Sequence, residues 1–171
     1  MDSNEETYSH PKSFFDQRSD SFIVDSFEVD TVMAVMRRFP HNVLVQRAVV
    51  YVLRRLAYYP QVCDKKYREK IEVFRSSLGE NGAIEAAVNV LTRFNEPELL
   101  GGALCAIGNL VIDGANAHKL NEVHGVEIIV EIMKRNRDSF TVVDYGCFAL
   151  CNLGDDCALR VSLLAPSQTQ S

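Results

Sequence analysis

The stretch that decides the fold is Gly101 to Leu110, GGALCAIGNL, because a matching stretch, DYGCFALCNL, follows at Asp144 to Leu153. The Asn near the end of each stretch is the reference point, and these two Asn lie 43 positions apart, at 109 and 152. Apolar or small residues recur at the same offsets around both. The matched pairs are Leu100 with Val143, Ala103 with Gly146, Leu104 with Cys147, Ile107 with Leu150, and Leu110 with Leu153. A fixed period of about 40 residues, carried by helical spacing, predicts an all-α helical solenoid.

A second repeated pattern lies upstream of each stretch. It comprises Ile84-Glu85, Ala87-Val88, Val90-Leu91 and Arg93, with counterparts 42 positions later and 55 positions earlier. The later copy starts at Val126-Glu127 and the earlier one at Val29-Asp30. The offsets change only in the links between helices, which is where a true repeat tolerates insertions. We therefore expect a repeat domain over residues 26–165, with units at about 27–59, 65–112 and 113–154 and a partial unit at 155–165.

Local signals place the helix boundaries. Pro40 is predicted to end a first helix, and Asn42 is a suitable cap for the next, because its side chain can accept orphan backbone N–H bonds. Residues 79–82, Gly-Glu-Asn-Gly, are predicted to form a turn. The further helices are predicted at 43–59, 65–77, 83–94, 98–112, within 113–125, and at 126–135, 139–153 and 157–165.

Composition limits the classes of function. The 171 residues are 47% hydrophobic and 24% charged, which is typical of a globular chain. The formal net charge of −5 argues against a dedicated nucleic-acid binder, whose affinity would come from neutralising phosphates. No run approaches the roughly 18 apolar residues of a membrane helix, so we expect no membrane partner.

The chain ends and the cysteines bear on location. Residues 1–25 are acidic and polar, so we interpret them as a mobile leader rather than a signal or transit peptide. Residues 166–171 form a polar tail. Five cysteines, several at apolar helix positions, favour buried thiols over a disulfide framework. These features indicate a reducing compartment, cytoplasmic or nuclear.

The repeat units resemble armadillo repeats. The residues that carry the resemblance are Gly82-Ala83-Ile84-Glu85, Gly125-Val126-Glu127, Ala106 to Leu110 (AIGNL) and Ala149 to Leu153 (ALCNL). It covers about residues 27–165 and is degenerate in the first unit, where Arg55 stands in place of the Asn. HEAT repeats are the nearest competitor, but they have two helices per unit. The resemblance implies a right-handed armadillo-like solenoid of about three and a half repeats.

In such a stack the third helices line a concave face, and positions four apart share one side of a helix. Counting back from each Asn gives three rows of side chains. The candidate ligand-binding residues are Arg47, Tyr51 and Arg55, then Cys105 and Asn109 beside Gly101, then Asp144, Phe148 and Asn152. Tyr and Arg are frequent at binding hot spots.

The two Asn have two interpretations. In armadillo proteins that bind nuclear-localisation peptides, the matching Asn grip the peptide backbone, and a Trp four residues earlier sandwiches a lysine. This chain has no Trp, and Cys105 and Phe148 occupy those positions. A carboxamide offers both donors and an acceptor, which suits such a grip. The alternative is that each Asn bonds its own helix end or an adjacent loop.

No arrangement of residues predicts catalysis, a cofactor or a metal. Cys147 and Cys151 lie four apart, but metal ligation needs at least three convergent ligands, and the repeat places Cys147 in the core at the position of Leu104. No His has a spacing that suggests a nucleophile and base. The hypothesis is a non-catalytic module that binds an extended peptide or a partner helix. The alternative is a piece of a longer array, or a module that self-associates through its apolar C-terminal edge, where Leu159, Val161, Leu163 and Leu164 lie.

Overall fold

The computed structural model describes residues 26–58 and 65–154, and these ranges contain eight α-helices and no strand. The helices are α1 (Ser26–Arg38), α2 (Val43–Leu56), α3 (Lys65–Glu80), α4 (Ala83–Arg93), α5 (Pro97–Leu110), α6 (Gly114–Glu122), α7 (Gly125–Arg135) and α8 (Phe140–Gly154). The all-α prediction is confirmed for this part of the chain. The predicted leader, the partial unit at 155–165 with its helix at 157–165, and the polar tail lie outside the described residues.

The start and end of α2 follow from its sequence. The Oδ1 of Asn42 accepts hydrogen bonds from the backbone N–H groups of Leu44 and Val45, both at 3.1 Å, so the predicted cap is confirmed. The helix ends at Leu56 rather than at Tyr59. The N–H of Ala57 donates to the Leu53 carbonyl and the N–H of Tyr58 to the Arg55 carbonyl, so the last turn tightens where the helix ends.

The third helix is longer than predicted. It continues through Glu80, and the turn is confined to Asn81 and Gly82, where Gly82 has a φ of 79°. Gly79 lies within the helix and not in the turn. A Cβ at this position would overlap the Asn116 side chain, so the glycine permits close packing of α3 on α6. The amide of Asn116 in turn donates to the Arg75 carbonyl at 2.9 Å and to the Leu110 carbonyl at 3.1 Å. These bonds join α3 and α6 to the end of α5.

The long helices α2, α5 and α8 lie side by side, with α5 between the other two and the most extensive contact between α5 and α8. The helices α1, α4 and α7 make a second set of neighbours, and each of them packs on the long helix that follows it. The core cluster of apolar side chains extends through both sets. This arrangement places the three rows of candidate residues on adjacent helices.

The repeated stretch GGALCAIGNL forms the most buried helix. All of its residues except Gly102 are buried. Its glycines permit close approach of the neighbours. A Cβ at Gly108 would lie 2.5 Å from the Phe148 ring, and one at Gly101 would lie 2.6 Å from the Thr141 side chain, both on α8. A Cβ at Gly102 would lie 2.9 Å from Val50 on α2. Small residues on α5 therefore bring α2 and α8 together around it.

The prediction that Cys147 belongs to the core is wrong. Its thiol is exposed, whereas Leu104, at the matching position of α5, is fully buried. Val143 and Leu150 are likewise only half-buried. The reason is positional: α5 is covered by α8, but no helix in the described ranges packs on the far side of α8. Matching positions in two repeat units are equally buried only when a following helix packs on each of them.

Candidate functional site

The candidate residues all lie on the surface shared by α2, α5 and α8, which we call the α2–α5–α8 face. The residues in its middle are buried, and those on its two sides are more exposed. Arg47 and Tyr51 on α2 and Asp144 on α8 are exposed, whereas Cys105 and Asn109 on α5 are 8% and 4% exposed. The remaining predicted residues are half-buried, namely Arg55, Phe148 and Asn152, and Gly101 is buried. The face is thus a neutral floor flanked by larger polar and aromatic side chains.

The amide of Asn109 caps the end of the neighbouring helix α2. Its Nδ2 donates a hydrogen bond of 3.2 Å to the backbone carbonyl of Arg54. The last four carbonyls of a helix lack partners within that helix. The N–H of Tyr58, which would serve Arg54 in a longer helix, bonds instead to the carbonyl of Arg55. Asn109 therefore satisfies a carbonyl that α2 leaves orphaned.

Asn152 does the same for α5. Its Nδ2 donates to the carbonyl of Gly108 at 2.8 Å, and Gly108 lies in the last turn of α5. The acceptor in each case stands just before the position that matches the Asn in the preceding unit. Arg54 precedes Arg55, and Gly108 precedes Asn109. No described residue donates to the Oδ1 of either Asn, so this oxygen remains an acceptor that could meet a ligand N–H. The sequence had suggested a helix end or a loop as partner, but not the end of the neighbouring long helix.

Phe148 forms part of one side of the face. Its ring lies over Gly108, where a Cβ would come within 2.6 Å of a second ring atom. The residue is half-buried, so its side chain packs on α5 and is still partly accessible at the surface. An aromatic side chain in this setting offers apolar area to a ligand at little entropic cost.

Cys105 lies in the middle of the floor, and its thiol is inert. Burial raises the pKa of Cys105 to about 11, while Arg54 lowers that pKa and Asp144 raises it. A thiol with this pKa stays protonated at neutral pH and is a poor nucleophile. Arg54 and Asp144 therefore act on the Cys105 pKa from α2 and α8, the two long helices beside α5.

Sequence reasoning missed Arg54. The rule of four-residue spacing selected Arg55, yet Arg54 is the side chain whose guanidinium lies over the Tyr51 ring, 5.9 Å from its centroid. The signal that could have found it is the three-residue spacing from Tyr51, which also brings side chains together on a helix. Arg47 forms an ion pair of 3.9 Å with Glu98 at the start of α5. Both of these side chains are well exposed, so the pair adds little stability.

The described part of the chain offers no group of three His, Cys, Asp or Glu side chains placed to hold a metal ion. Cys147 and Cys151 are exposed one turn apart on α8. Within the same ranges, no helix has the length and apolar content needed to cross a membrane.

Comparison with protein-family models, with curated proteins and with solved structures finds no match.

Proposed function

We propose that the chain is a right-handed armadillo-like solenoid of about three and a half repeats that acts as a non-catalytic binding module. Its ligand is a protein segment, an extended peptide or a partner helix, held along the α2–α5–α8 face. The contacts of α5 with both α2 and α8, and of each long helix with the helix before it, support the solenoid. The cysteine usage favours a reducing compartment, cytoplasmic or nuclear.

One observation carries the binding proposal: the buried, uncharged floor of α5 lies between exposed anchor side chains on its two neighbours. Tyr51 is 44% exposed and supplies an aromatic surface on one side, and Asp144 supplies a carboxylate on the other. Tyr and Arg are enriched at binding hot spots, and Tyr51 has Arg54 beside it on the same side of the face. The free Oδ1 positions of Asn109 and Asn152 add acceptors for a backbone that crosses the helices.

The test begins with peptides selected from a random phage-displayed library on the purified chain. The affinity of a selected peptide is then measured by fluorescence anisotropy for Tyr51→Ala combined with Asp144→Ala. The matched control combines Phe39→Ala with Asp138→Ala, which removes an exposed aromatic residue after α1 and an exposed Asp before α8, both outside the three helices of the face. We expect a loss of at least about tenfold in the first double variant and less than about twofold in the control. Equal affinity in all three proteins, or failure to select any binder, would refute the proposal.

The alternative function, a segment of a longer array or a self-associating module, has one observation in its favour. The outer side of α8 presents Val143, Cys147 and Leu150, and the matching residues of α5 are fully buried. A row of partly exposed apolar side chains is typical of a contact surface. Light scattering at several concentrations tests self-association, with Leu150→Asp as the variant expected to abolish it. A monomer at every concentration would count against the self-associating form.

A further inference from the structure

The α2–α5–α8 face carries opposite charges on its two sides. Arg54 on α2 has no carboxylate partner among the described residues, and Asp144 on α8 has no cationic partner there. Arg47 and Arg55 add two further cations on the α2 side, and Arg47 is ion-paired with Glu98. The floor between them is uncharged, since Gly101 and Asn109 carry no charge and the Cys105 thiol stays protonated.

This pattern favours a ligand that carries both signs of charge. An acidic side chain would meet Arg54, whose guanidinium lies over the Tyr51 ring. A basic side chain would meet the exposed carboxylate of Asp144. A ligand with one sign only would gain at one side and be repelled at the other, which makes the face discriminate by charge.

The spacing of the two charges follows from helix packing. Helices in contact lie about 8–10 Å apart, so two such steps separate α2 from α8 by roughly 16–20 Å. An extended peptide advances about 3.3 Å per residue, and it crosses this span in about six residues. Residues an even number of positions apart point to the same side of an extended chain. A separation of six therefore directs both charged side chains toward the face.

We propose that the face selects an extended peptide with an acidic and a basic residue about six positions apart, the acidic residue over α2 and the basic residue over α8. The residues between them are uncharged. This proposal rests on the proposed function and adds the chemical class of its ligand. It commits to a bipolar peptide, since a uniformly acidic or uniformly basic segment matches only one side.

The experiment uses synthetic peptides of one length and one neutral background of Ala, Ser, Thr and Gln. Four arrangements are compared by anisotropy with the full chain: Glu and Lys six apart, Glu and Lys three apart, two Glu six apart, and two Lys six apart. We expect the first to bind at least about fivefold more tightly than each of the others, which is near the upper end for exposed pairs. The preference should fall in 0.5 M salt, because salt screens exposed charges.

Charge reversal on the protein gives the decisive arm. Arg54→Glu, made together with Arg55→Gln, leaves the ion-paired Arg47 as the remaining cation among the named α2 residues and should move the preference to the peptide with two Lys, whereas Asp144→Lys should move it to the peptide with two Glu. Each shift should be about fivefold. Arg54→Gln, which only removes charge, should lose the preference without a new one and guards against a folding effect. Arg93→Glu and Asp138→Lys are matched controls outside the face and should leave the preference unchanged.

The outcomes separate this proposal from the proposed function. If library-selected peptides lose affinity in the Tyr51 and Asp144 double variant but show no bipolar pattern and no response to Arg54→Glu, the face binds peptides and the charge selection is refuted. If no arrangement binds and no peptide is selected, the proposed function fails as well. A switch of preference in both reversal variants supports the charge selection directly.

Discussion

Replacement of Asn109 tests whether the two Asn join successive helices of the repeat. Asn109 is 4% exposed, and its Nδ2 donates to the carbonyl of Arg54 at 3.2 Å. Asn109→Ala removes the donor and leaves a part-buried carbonyl without a partner, which costs about 1–3 kcal/mol. Ala gains up to about 0.7 kcal/mol over Asn in helix propensity. The net loss in the free energy of unfolding should therefore be about 1–2 kcal/mol.

Two further variants sharpen this estimate. Asn109→Asp keeps the shape but turns a carboxylate oxygen toward the Arg54 carbonyl, so it should destabilise more than Asn109→Ala does. Asn152 is half-buried, and water can reach the Gly108 carbonyl after its removal, so Asn152→Ala should cost only about 0.5–1 kcal/mol. The order Asn109→Asp, Asn109→Ala, Asn152→Ala is expected from the most to the least destabilised.

The assay is urea unfolding followed by circular dichroism, with the melting temperature as a second measure. A loss of 1 kcal/mol lowers the melting temperature by about 2–4 °C for a chain of this size. Asn89→Ala is the matched control, because Asn89 is exposed on α4 and its side chain bonds no described residue. The control should be neutral or slightly stabilising. If Asn109→Ala destabilises no more than Asn89→Ala, the capping role is refuted.

Three other predictions follow from single contacts. Gly108→Ala places a Cβ 2.5 Å from the Phe148 ring and should cost about 1–3 kcal/mol in urea unfolding, with partial recovery when Phe148→Leu is added; no recovery would refute the contact. Iodoacetamide at pH 8 should alkylate Cys147 at least tenfold faster than Cys105, and equal alkylation of the two thiols in the folded chain would contradict this. The raised pKa of Cys105 favours the folded state only while the thiol is protonated, so the free energy of unfolding should fall as pH rises above about 9. His124→Gly should stabilise by about 1 kcal/mol, since His124 has a φ of 54° where the preceding unit has a glycine, and a destabilised variant would contradict the strain.

The sequence predicted local structure well because the causes are local. The Asn42 cap depends on a side chain and two N–H groups within three residues, and the structure shows that cap. The order of the helices also follows from the spacing of apolar residues. Pro60 predicts that a helix ends nearby but does not fix the residue, and α2 ends at Leu56 rather than at Tyr59.

Features that depend on distant neighbours could not be predicted. The hydrogen-bond acceptor of Asn109 is the backbone carbonyl of Arg54, 55 positions away. Every residue has such a carbonyl, so the residue type at position 54 does not predict this bond. The exposure of Cys147 depends on what packs beyond α8, which the matching position of α5 does not reveal. Four-residue spacing from Tyr51 selects Arg55 and three-residue spacing selects Arg54, and the sequence alone does not decide between these two neighbours.

The central claim is that a peptide binds along the α2–α5–α8 face. Hydrogen exchange with mass spectrometry, on the chain with and without a selected peptide, measures this directly. A ligand that covers the face should slow exchange in α2 and α8 and in the last turn of α5, and leave α1, α4 and α7 unchanged. Protection confined to α1, α4 and α7, or none at saturating peptide, would contradict the claim.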